Sequence, residues 1–318
     1  MNIVLVTGAA GFIGSHVARK LIESGTHVRA VDAFTNYYGR AQKESNVADL
    51  RGRDGFELIE ADLSSADPAP LLDGVDAVCH LAAQAGVRDS WGADFDTYID
   101  CNIRSTQRLL EAARDLDLSR FVYASSSSVY GETEDLPMRE DGRTCPVSPY
   151  GVTKLAAEHL AVLYHRSYGV PTVSLRYFTV YGPGQRPDMA FHRFIRAALA
   201  DEPITIYGDG EQTRDFTYVD DIVAGTVAAL TDGPPGTVFN LGGGSRVSLN
   251  RAVESIENAL GTTIRREYTE KARGDVTDTL AANDRARHDL GFAPGVTLDD
   301  GIRAQCAWMR SLVASDQA

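Results

Sequence analysis

The sequence has few cysteines, no long hydrophobic run and a deficit of positive charge. The four cysteines, Cys79, Cys101, Cys145 and Cys306, are far apart in a chain of 318 residues, which fits neither a metal site nor a disulfide framework. No apolar run has the length of a transmembrane helix, and the first residues lack the basic segment of a signal peptide. The net charge of −13 argues against surfaces for nucleic acid or anionic membranes. We therefore expect a cytoplasmic protein without metal, nucleic-acid or membrane partners.

Lysine is also scarce, since only four of the 31 lysine and arginine residues are lysine. One of them, Lys154, follows Tyr150 by four residues at the start of a helical pattern, and residues at this spacing share one helix face. An ammonium group beside a phenol favours the phenolate and lowers a pKa that is ordinarily about 10. The pair therefore predicts a base that takes a proton from an alcohol near neutral pH. An exposed helix pair is the alternative.

Apolar segments of strand length alternate with helical patterns in the first half of the chain. The predicted strands are 2–7, 27–32, 56–61, 75–81, 120–124 and 172–177, and helical patterns begin near Ile13 and span 94–115 and 150–168. Such alternation indicates a parallel sheet covered by helices on both faces. After residue 178, shorter segments rich in Gly and Pro predict a smaller α/β lobe. We assign the domains as 1–178 and 179–318, with later segments interleaved with the sheet.

A glycine motif follows the first predicted strand. Gly8, Gly11 and Gly14 are spaced G-x-x-G-x-x-G, with Phe12 and Ile13 at the start of the next helix. The glycines allow a tight turn, a close approach of a pyrophosphate and close packing of helix on strand, while the helix N-terminus attracts the phosphates. The motif predicts a dinucleotide site in a Rossmann-type, doubly wound fold.

Acidic and small residues after the next strands extend this site. Asp32 ends the second strand, where a carboxylate would bind the adenosine ribose and repel a 2′-phosphate, which favours NAD over NADP. Asp62 and Leu63 follow the third strand and could face the adenine, although a turn aspartate is an equal alternative. Small residues after the fourth strand would let a cofactor lie against the backbone, or would serve tight packing. This last segment is Leu81, Ala82, Ala83 and Gln84.

Four consecutive serines, 125–128, follow the strand at 120–124. In a doubly wound sheet this edge faces the ligand crevice, and one hydroxyl there can stabilise a developing oxyanion. A polar turn is the alternative, and spacing does not decide which serine acts.

Together these motifs resemble the extended short-chain dehydrogenase/reductase family, and within it the nucleotide-sugar epimerases and dehydratases. The resemblance covers essentially the whole chain. It rests on the glycine motif, Asp32, the Ser-Ser-Ser-x-Val-Tyr-Gly run that contains Ser126, the Tyr150-x-x-x-Lys154 pair and the segment 176–178.

The resemblance implies a catalytic triad of Ser126, Tyr150 and Lys154, with NAD as the cofactor. It further implies that Tyr177 and Phe178 lie by the nicotinamide, that Asn102 supports the cofactor site, and that the second lobe binds a sugar nucleotide. Arg214 and Arg273 match diphosphate and uridine contacts, although as bare sequence they could be surface charges. Met189, Phe191 and Tyr207 are expected to line the base pocket. Family likeness also suggests a homodimer formed by the helices at 94–115 and 150–168.

Three segments, 80–88, 176–182 and 185–190, resemble UDP-glucuronate 4-epimerases. Ser128 stands where sugar dehydratases and uronate decarboxylases carry an acid, and Thr179 where UDP-glucose 4-epimerases usually carry asparagine. We expect NAD-dependent 4-epimerisation of UDP-glucuronate to UDP-galacturonate through a 4-keto intermediate, with Arg186 on the carboxylate and Arg88, Ser127, Ser128 and Thr179 as further substrate contacts. The alternatives are a 4-epimerase of UDP-glucose or a UDP-N-acetylhexosamine, a UDP-glucuronate decarboxylase, and a non-catalytic NAD-sensing module.

Overall fold

Seven parallel strands form the central sheet of the computed structural model, which describes residues 1–271 and 273–316. The strands of this sheet and of two smaller sheets are β1 (Ile3–Thr7), β2 (His27–Asp32), β3 (Phe56–Glu60), β4 (Ala77–His80), β5 (Arg120–Ser126), β6 (Thr172–Tyr177), β7 (Thr179–Tyr181), β8 (Ile204–Tyr207), β9 (Thr213–Tyr218), β10 (Thr237–Leu241), β11 (Arg246–Ser248) and β12 (Arg266–Thr269). The order in the large sheet is β10-β6-β5-β4-β1-β2-β3, and each neighbouring pair is parallel.

Helices cover both faces of this sheet. The helices of the structure, including those of the smaller lobe, are α1 (Phe12–Glu23), α2 (Arg40–Val47), α3 (Ala69–Leu72), α4 (Phe95–Tyr98), α5 (Ser105–Ala113), α6 (Pro149–Tyr168), α7 (Ala190–Leu199), α8 (Val219–Thr231), α9 (Leu249–Leu260), α10 (Asp284–Leu290) and α11 (Leu298–Asp316). On one face, Val17 of α1 and Ile222 of α8 share a core with Val4 of β1. On the other, Leu109 of α5 and Ala157 of α6 pack in a second core. The predicted doubly wound, Rossmann-type α/β fold is therefore confirmed.

The later part of the chain builds smaller sheets and also returns to the large one. β11, β9 and β7 form a three-stranded sheet, and β12 pairs with β8. A separate core around Phe191, Ile206 and Ile256 lies beneath them. β10 joins the large sheet beside β6, so the segments interleave. The boundary at residue 178 stays a prediction.

The predicted helix at 94–115 is not continuous. α4 and α5 are separated by a turn of π-helix, Ile99–Arg104, which contains Asn102. A π-turn inserts an extra residue into the helical register and is frequent at functional sites. Here it turns Asn102 inward, where the side chain is 1% exposed. Within the described ranges, no helix is long and apolar enough to cross a membrane.

Candidate functional site

A cleft of about 1200 Å³, part of it open to solvent, lies at the carboxyl ends of the large sheet's strands. We call it the sheet-edge cleft. Ligands of doubly wound folds bind in this position because the strand order reverses there. The predicted site residues that line it are Gly8, Gly11, Phe12, Ile13, Gly14, Asp32, Asp62, Leu63, Leu81, Ala82, Ala83, Gln84, Tyr150, Lys154, Tyr177 and Arg186.

The glycine motif brings backbone close to backbone at the floor of this cleft. Gly8 has a φ of 67°, which favours glycine. A Cβ on Gly8 would lie 2.9 Å from the Cα of Ala82, and one on Gly14 would overlap the carbonyl oxygen of Gly8. α1 begins directly afterwards, and the amides of its first turn have no partners within the helix. The floor therefore presents free N–H groups and a positive helix end, which suits a pyrophosphate.

Asp32 is held rigidly at the end of β2. Its carboxylate accepts hydrogen bonds from the backbone N–H of Ala10 at 3.1 Å and of Phe34 at 2.8 Å. The ammonium of Lys43 lies 3.9 Å from Asp32 Oδ1 and donates to the carbonyl of Thr35 at 3.0 Å. Because a carboxylate has about four acceptor positions, Asp32 keeps capacity for ribose hydroxyls. Lys43 was not predicted from the sequence.

Tyr150 enters the cleft from the first turn of α6. That helix begins at Pro149, and the hydroxyl of Ser148 caps it by accepting from the N–H of Gly151 at 3.1 Å. The Tyr150 ring packs edge-on against Tyr98, with centroids 6.3 Å apart, and the Ser126 side chain lies close enough to its hydroxyl to lower its pKa. Two members of the predicted triad therefore act on each other.

The pKa of Tyr150 differs from the sequence-based prediction. Burial raises it, and the groups that oppose this effect are the hydrogen bond with Ser126 and the charge of Arg186, not Lys154. The Lys154 ammonium lies 4.6 Å from the centre of the Tyr123 ring and is 3% exposed. Burial lowers the pKa of Lys154 to about 7, so its charge is itself only partly present at neutral pH. The prediction of a phenol acidified by Lys154 was wrong for this reason.

Asn102 supports the cleft from behind without lining it. Its amide oxygen accepts from the N–H of Gln84 at 2.7 Å, and its amide nitrogen donates to the Gln84 carbonyl at 3.0 Å and to Thr153 Oγ1 at 2.9 Å. These bonds tie the segment after β4 to α6. Phe178 also lies away from the cleft, because it is 1% exposed and packs against Tyr130. Its predicted position at the nicotinamide is corrected to the core.

Arg186 lies where the sheet-edge cleft meets a second cleft. Its guanidinium forms a bidentate pair with Asp188, at 2.9 and 2.8 Å. The hydroxyl of Tyr37 donates to Asp89 at 3.0 Å and is 3.4 Å from Asp188. Three loops, after β2, β4 and β7, therefore meet at this point. The partner of Arg186 was not predicted, because nothing in the sequence spacing says which acid a flexible arginine reaches.

The second cleft, of about 1290 Å³, lies between the large sheet's loops and the smaller lobe. We call it the lobe cleft. Arg88 stacks over the Tyr207 ring at 4.1 Å and pairs with Asp275 at 2.6 Å. A stacked arginine beside an aromatic ring suits a planar base next to an anionic group. The other lining residues include Tyr37, Asp89, Asp188, Arg193, Phe194, Thr205, Gln212 and Leu249.

Several predicted substrate contacts lie outside both sets of lining residues. Phe191 is 1% exposed and stacks on Phe216 at 4.6 Å, so it is a core residue and its predicted place in the base pocket is corrected. Arg214 donates to the carbonyls of Thr213, Val276 and Thr277, so its guanidinium holds backbone. Met189, Arg273, Ser127, Ser128 and Thr179 are also absent from the two linings.

Further residues line the sheet-edge cleft without having been predicted. Thr35, Tyr37, Tyr38 and Lys43 come from the segment after β2. Of the four serines that the sequence left open, Ser125 lines the cleft, whereas Ser126, Ser127 and Ser128 are absent from its lining. One signal could have found the first group: a loop that directly follows Asp32 must leave the sheet at the ligand edge. Cys101 and Ser105 reach the cleft through the π-turn and the start of α5, which the sequence did not reveal.

Comparisons with known proteins agree with this architecture. The model of the NAD dependent epimerase/dehydratase family matches residues 4–242. An uncharacterized UDP-glucose epimerase, YtcB, of Bacillus subtilis is 45% identical over 97% of this chain and 98% of its own length. A UDP-glucuronate 4-epimerase of Thermodesulfobacterium geofontis is 38% identical over 98% and 97% of the two chains.

A solved structure is similarly close. The crystal structure of UDP-glucuronic acid 4-epimerase from Bacillus cereus, in complex with UDP-glucuronic acid and NAD, superposes with a TM-score of 0.95 at 44% identity, covering 98% of this chain and all of that one. The match spans both lobes and both clefts. The chain belongs to the NAD dependent epimerase/dehydratase family.

Proposed function

We propose that this protein is an NAD-dependent 4-epimerase that interconverts UDP-glucuronate and UDP-galacturonate through a transient 4-keto sugar. The observation that carries the proposal is that Tyr150 and Arg186 line one cleft, where the Ser126 side chain and the charge of Arg186 both oppose the burial that raises the pKa of Tyr150. The likeness to the Bacillus cereus enzyme, whose structure holds UDP-glucuronic acid and NAD, supports the choice of substrate and cofactor.

The sheet-edge cleft fits NAD. Gly8 and Gly14 leave room that a side chain would fill, and the first turn of α1 offers amides to the diphosphate. Asp32 would bind the adenosine ribose, and Lys154 and Tyr177 line the part of the cleft near Tyr150. NAD, when bound, supplies the hydride chemistry at C4 of the sugar and a positive charge that favours the phenolate of Tyr150.

Proton transfer is the task of the chain's own residues. Tyr150 takes the proton of the sugar 4-hydroxyl. The Ser126 hydroxyl stabilises the developing oxyanion by donating a hydrogen bond to it. Lys154 lines the same cleft, and in its charged form it would add to the positive charge that favours the phenolate once NAD is bound. The 4-keto sugar then has to present its other face before Tyr150 returns the proton.

A uronate substrate requires control of its carboxylate. The 4-keto derivative of glucuronate is a β-keto acid, which loses CO2 when the breaking C–C bond aligns with the ketone π system. Arg186 would hold the carboxylate out of that alignment by charge-assisted hydrogen bonds, with hydroxyls of Ser127, Ser128 and Thr179 as further donors. Arg88 and Tyr207, stacked in the lobe cleft, would contact the UDP part, whereas Arg214, Arg273 and Met189 stay predicted contacts from the sequence alone.

The alternatives differ in identifiable residues. Ser128 stands where a dehydratase or decarboxylase would need an acid, which disfavours both. The name of the Bacillus subtilis relative favours UDP-glucose as a substrate, whereas Arg186 at the cleft favours an acid sugar. A non-catalytic module does not require the contact of Tyr150 with Ser126.

A homodimer is a further part of the proposal. Val152, His159 and Leu163 lie at helical spacing along the exposed face of α6, and Val152 and Leu163 are 49% and 53% exposed. A second copy of the same stripe would bury this face symmetrically. Light scattering of the wild type and of Leu163→Arg tests this: a dimer that becomes a monomer is expected, and a wild-type monomer would contradict it.

The reaction is tested by incubating the purified protein with UDP-glucuronate and no added NAD. Proton NMR should show UDP-galacturonate, since tightly held NAD is regenerated in each cycle. A pentose sugar with CO2 would identify a decarboxylase, and equal kcat/KM for UDP-glucose and UDP-glucuronate would defeat the uronate assignment. Tyr150→Phe should abolish turnover, and an inactive wild type that still binds NAD would point to the sensing module.

A further inference from the structure

Glu158 is a buried carboxylate on α6 for which the proposed reaction has no role so far. It is 2% exposed and lies one helical turn beyond Lys154. Its Oε2 accepts from the hydroxyl of Ser125 at 2.6 Å and from Arg176 Nε at 3.0 Å, and its Oε1 accepts from Arg176 Nη2 at 2.6 Å. One carboxylate therefore joins the catalytic helix to the ends of two central strands.

This arrangement reaches the reacting groups in two ways. Ser125 lines the sheet-edge cleft and immediately precedes Ser126, so its hydrogen bond to Glu158 fixes the backbone that presents Ser126 to Tyr150. Arg176, in turn, donates to the hydroxyl of Tyr130 at 2.7 Å, which ties the pair to the segment that follows β5. A buried ion pair of this kind specifies one geometry more than it stabilises the fold.

The second effect is electrostatic. The titratable groups around Lys154 are His80 on β4, Tyr123 on β5, and Tyr150 and Glu158 on its own helix. Burial lowers the pKa of His80 to about 3 and raises the pKa of both tyrosines, so these three are uncharged at neutral pH. Glu158 is the acidic group of this set, and the Arg176 guanidinium balances part of its charge. Its remaining effect opposes the larger effect of burial, which lowers the pKa of Lys154.

We propose that Glu158 is a positioning residue that favours the charged form of Lys154 and holds the Ser125–Ser126 end of β5 against α6. The effect of Glu158 on the charge of Lys154 is a property of the protein alone and does not depend on a substrate. Its consequence for turnover rests on the proposed function, so the test begins with a measurement that needs no activity.

The chain has only four lysines, Lys20, Lys43, Lys154 and Lys271, which makes NMR of lysine labelled with ¹³C at Cε practicable in the protein as purified. The signal lost in Lys154→Met assigns the residue. In Glu158→Gln the titration midpoint of Lys154 should fall by at least about one pH unit, a tenfold change in its equilibrium constant. A midpoint within about 0.3 unit of the wild type would overturn the proposal.

Matched variants separate charge from shape. Glu158→Asp keeps the charge and should keep the midpoint close to that of the wild type, whereas Ser125→Ala removes the hydrogen bond and should not move it. Glu254→Gln, an exposed carboxylate on α9, is the control for the substitution type. If Glu158→Gln does not fold because Arg176 is left unpaired, the double variant Glu158→Leu/Arg176→Met removes the whole pair and should lower the midpoint in the same direction.

The activity measurement then follows. The alkaline limb of the kcat/KM profile should move to lower pH in Glu158→Gln and stay in place in Ser125→Ala. If Glu158→Gln lowers the NMR midpoint of Lys154 but the wild type shows no turnover, the role proposed for Glu158 stands and the proposed reaction is contradicted. If kcat/KM of Glu158→Gln falls by the same factor at every pH and the Lys154 midpoint does not move, Glu158 has only a structural role.

Discussion

Arg186 and Asp188 form a bidentate ion pair at the junction of the two clefts, with Nε 2.9 Å from Oδ1 and Nη2 2.8 Å from Oδ2. Arg186 lines the sheet-edge cleft, and Asp188 lines the lobe cleft. The Arg186 guanidinium, which is proposed to hold the substrate carboxylate, therefore already holds a carboxylate of the protein. A uronate has to share the guanidinium with Asp188 or displace it, whereas a neutral hexose has no group to do so.

Loss of the fork should be selective for acid sugars. Arg186→Ala is expected to lower kcat/KM for UDP-glucuronate by about 10- to 100-fold, because a charge-assisted hydrogen bond contributes roughly 1.5–3 kcal/mol. Arg186→Lys keeps the charge but not the fork and should recover only part of the loss. Steady-state kinetics with UDP-glucose provide the control. Unchanged turnover of UDP-glucuronate in the alanine variant would remove Arg186 from the substrate site.

Removal of the internal competitor should have the opposite effect on affinity. Asp188→Asn is expected to lower KM for UDP-glucuronate several-fold, because the guanidinium no longer shares its charge with a neighbouring carboxylate. Asp89→Asn, which changes the other acid bonded to Tyr37, tests whether any loss of charge at the junction is sufficient. If KM rises in Asp188→Asn, the pair serves mainly to orient Arg186.

Ser126 should control the pH at which Tyr150 acts. Its hydrogen bond lowers the pKa of Tyr150, against the larger effect of burial. In Ser126→Ala that pKa rises further, less phenolate is present at neutral pH, and the acidic limb of kcat/KM moves to higher pH. Ser127→Ala, one residue on, is expected to alter KM for the acid sugar and to leave the limb in place. A limb that does not move in Ser126→Ala would contradict the contact.

The sequence was sufficient for the fold and for the floor of the cleft, because both depend on local signals. The glycine motif has a steric cause within seven residues, and Asp32 is placed by the end of its own strand. Sequence spacing could not predict contacts between residues that are far apart along the chain. Examples are the position of Arg186 at the junction of the two clefts and the bonds of Glu158 with Ser125 and Arg176. The prediction of the Tyr150 pKa failed for the same reason, because the spacing of two residues on one helix does not show how deeply the tertiary structure buries them.

Two glycines of the motif should differ sharply when replaced. A methyl group at Gly14 would overlap the backbone oxygen of Gly8, which has no room to move, whereas one at Gly11 would lie 3.0 Å from the same atom and 4.0 Å from the Tyr38 hydroxyl. Gly14→Ala should therefore unfold or lower Tm strongly, by a loss of about 3 kcal/mol or more. Gly11→Ala should fold with a small change in Tm and retain less NAD. Equal thermal unfolding curves for the two would contradict this account of the turn.

Lys154 is expected to lower the free energy of unfolding of the protein. Burial takes its pKa from 10.5 to about 7, so the unfolded chain binds an additional proton between these values, and the free energy of unfolding rises with pH across that window. At pH 7 the cost of the buried lysine is on the order of 2–4 kcal/mol. Lys154→Met, of similar size, is therefore expected to raise Tm by several degrees while turnover is lost.

Differential scanning calorimetry of both proteins, freed of bound nucleotide, checks this, because ligand binding alone would shift Tm. The advantage of Lys154→Met should shrink steadily as the pH rises from 7 towards 10.5, since the wild-type lysine then becomes neutral in both states. Lys20→Met, at an exposed position on α1, should change Tm by no more than about 1 °C at any pH. An advantage that is constant with pH would mean that packing, rather than a buried charge, separates the two proteins.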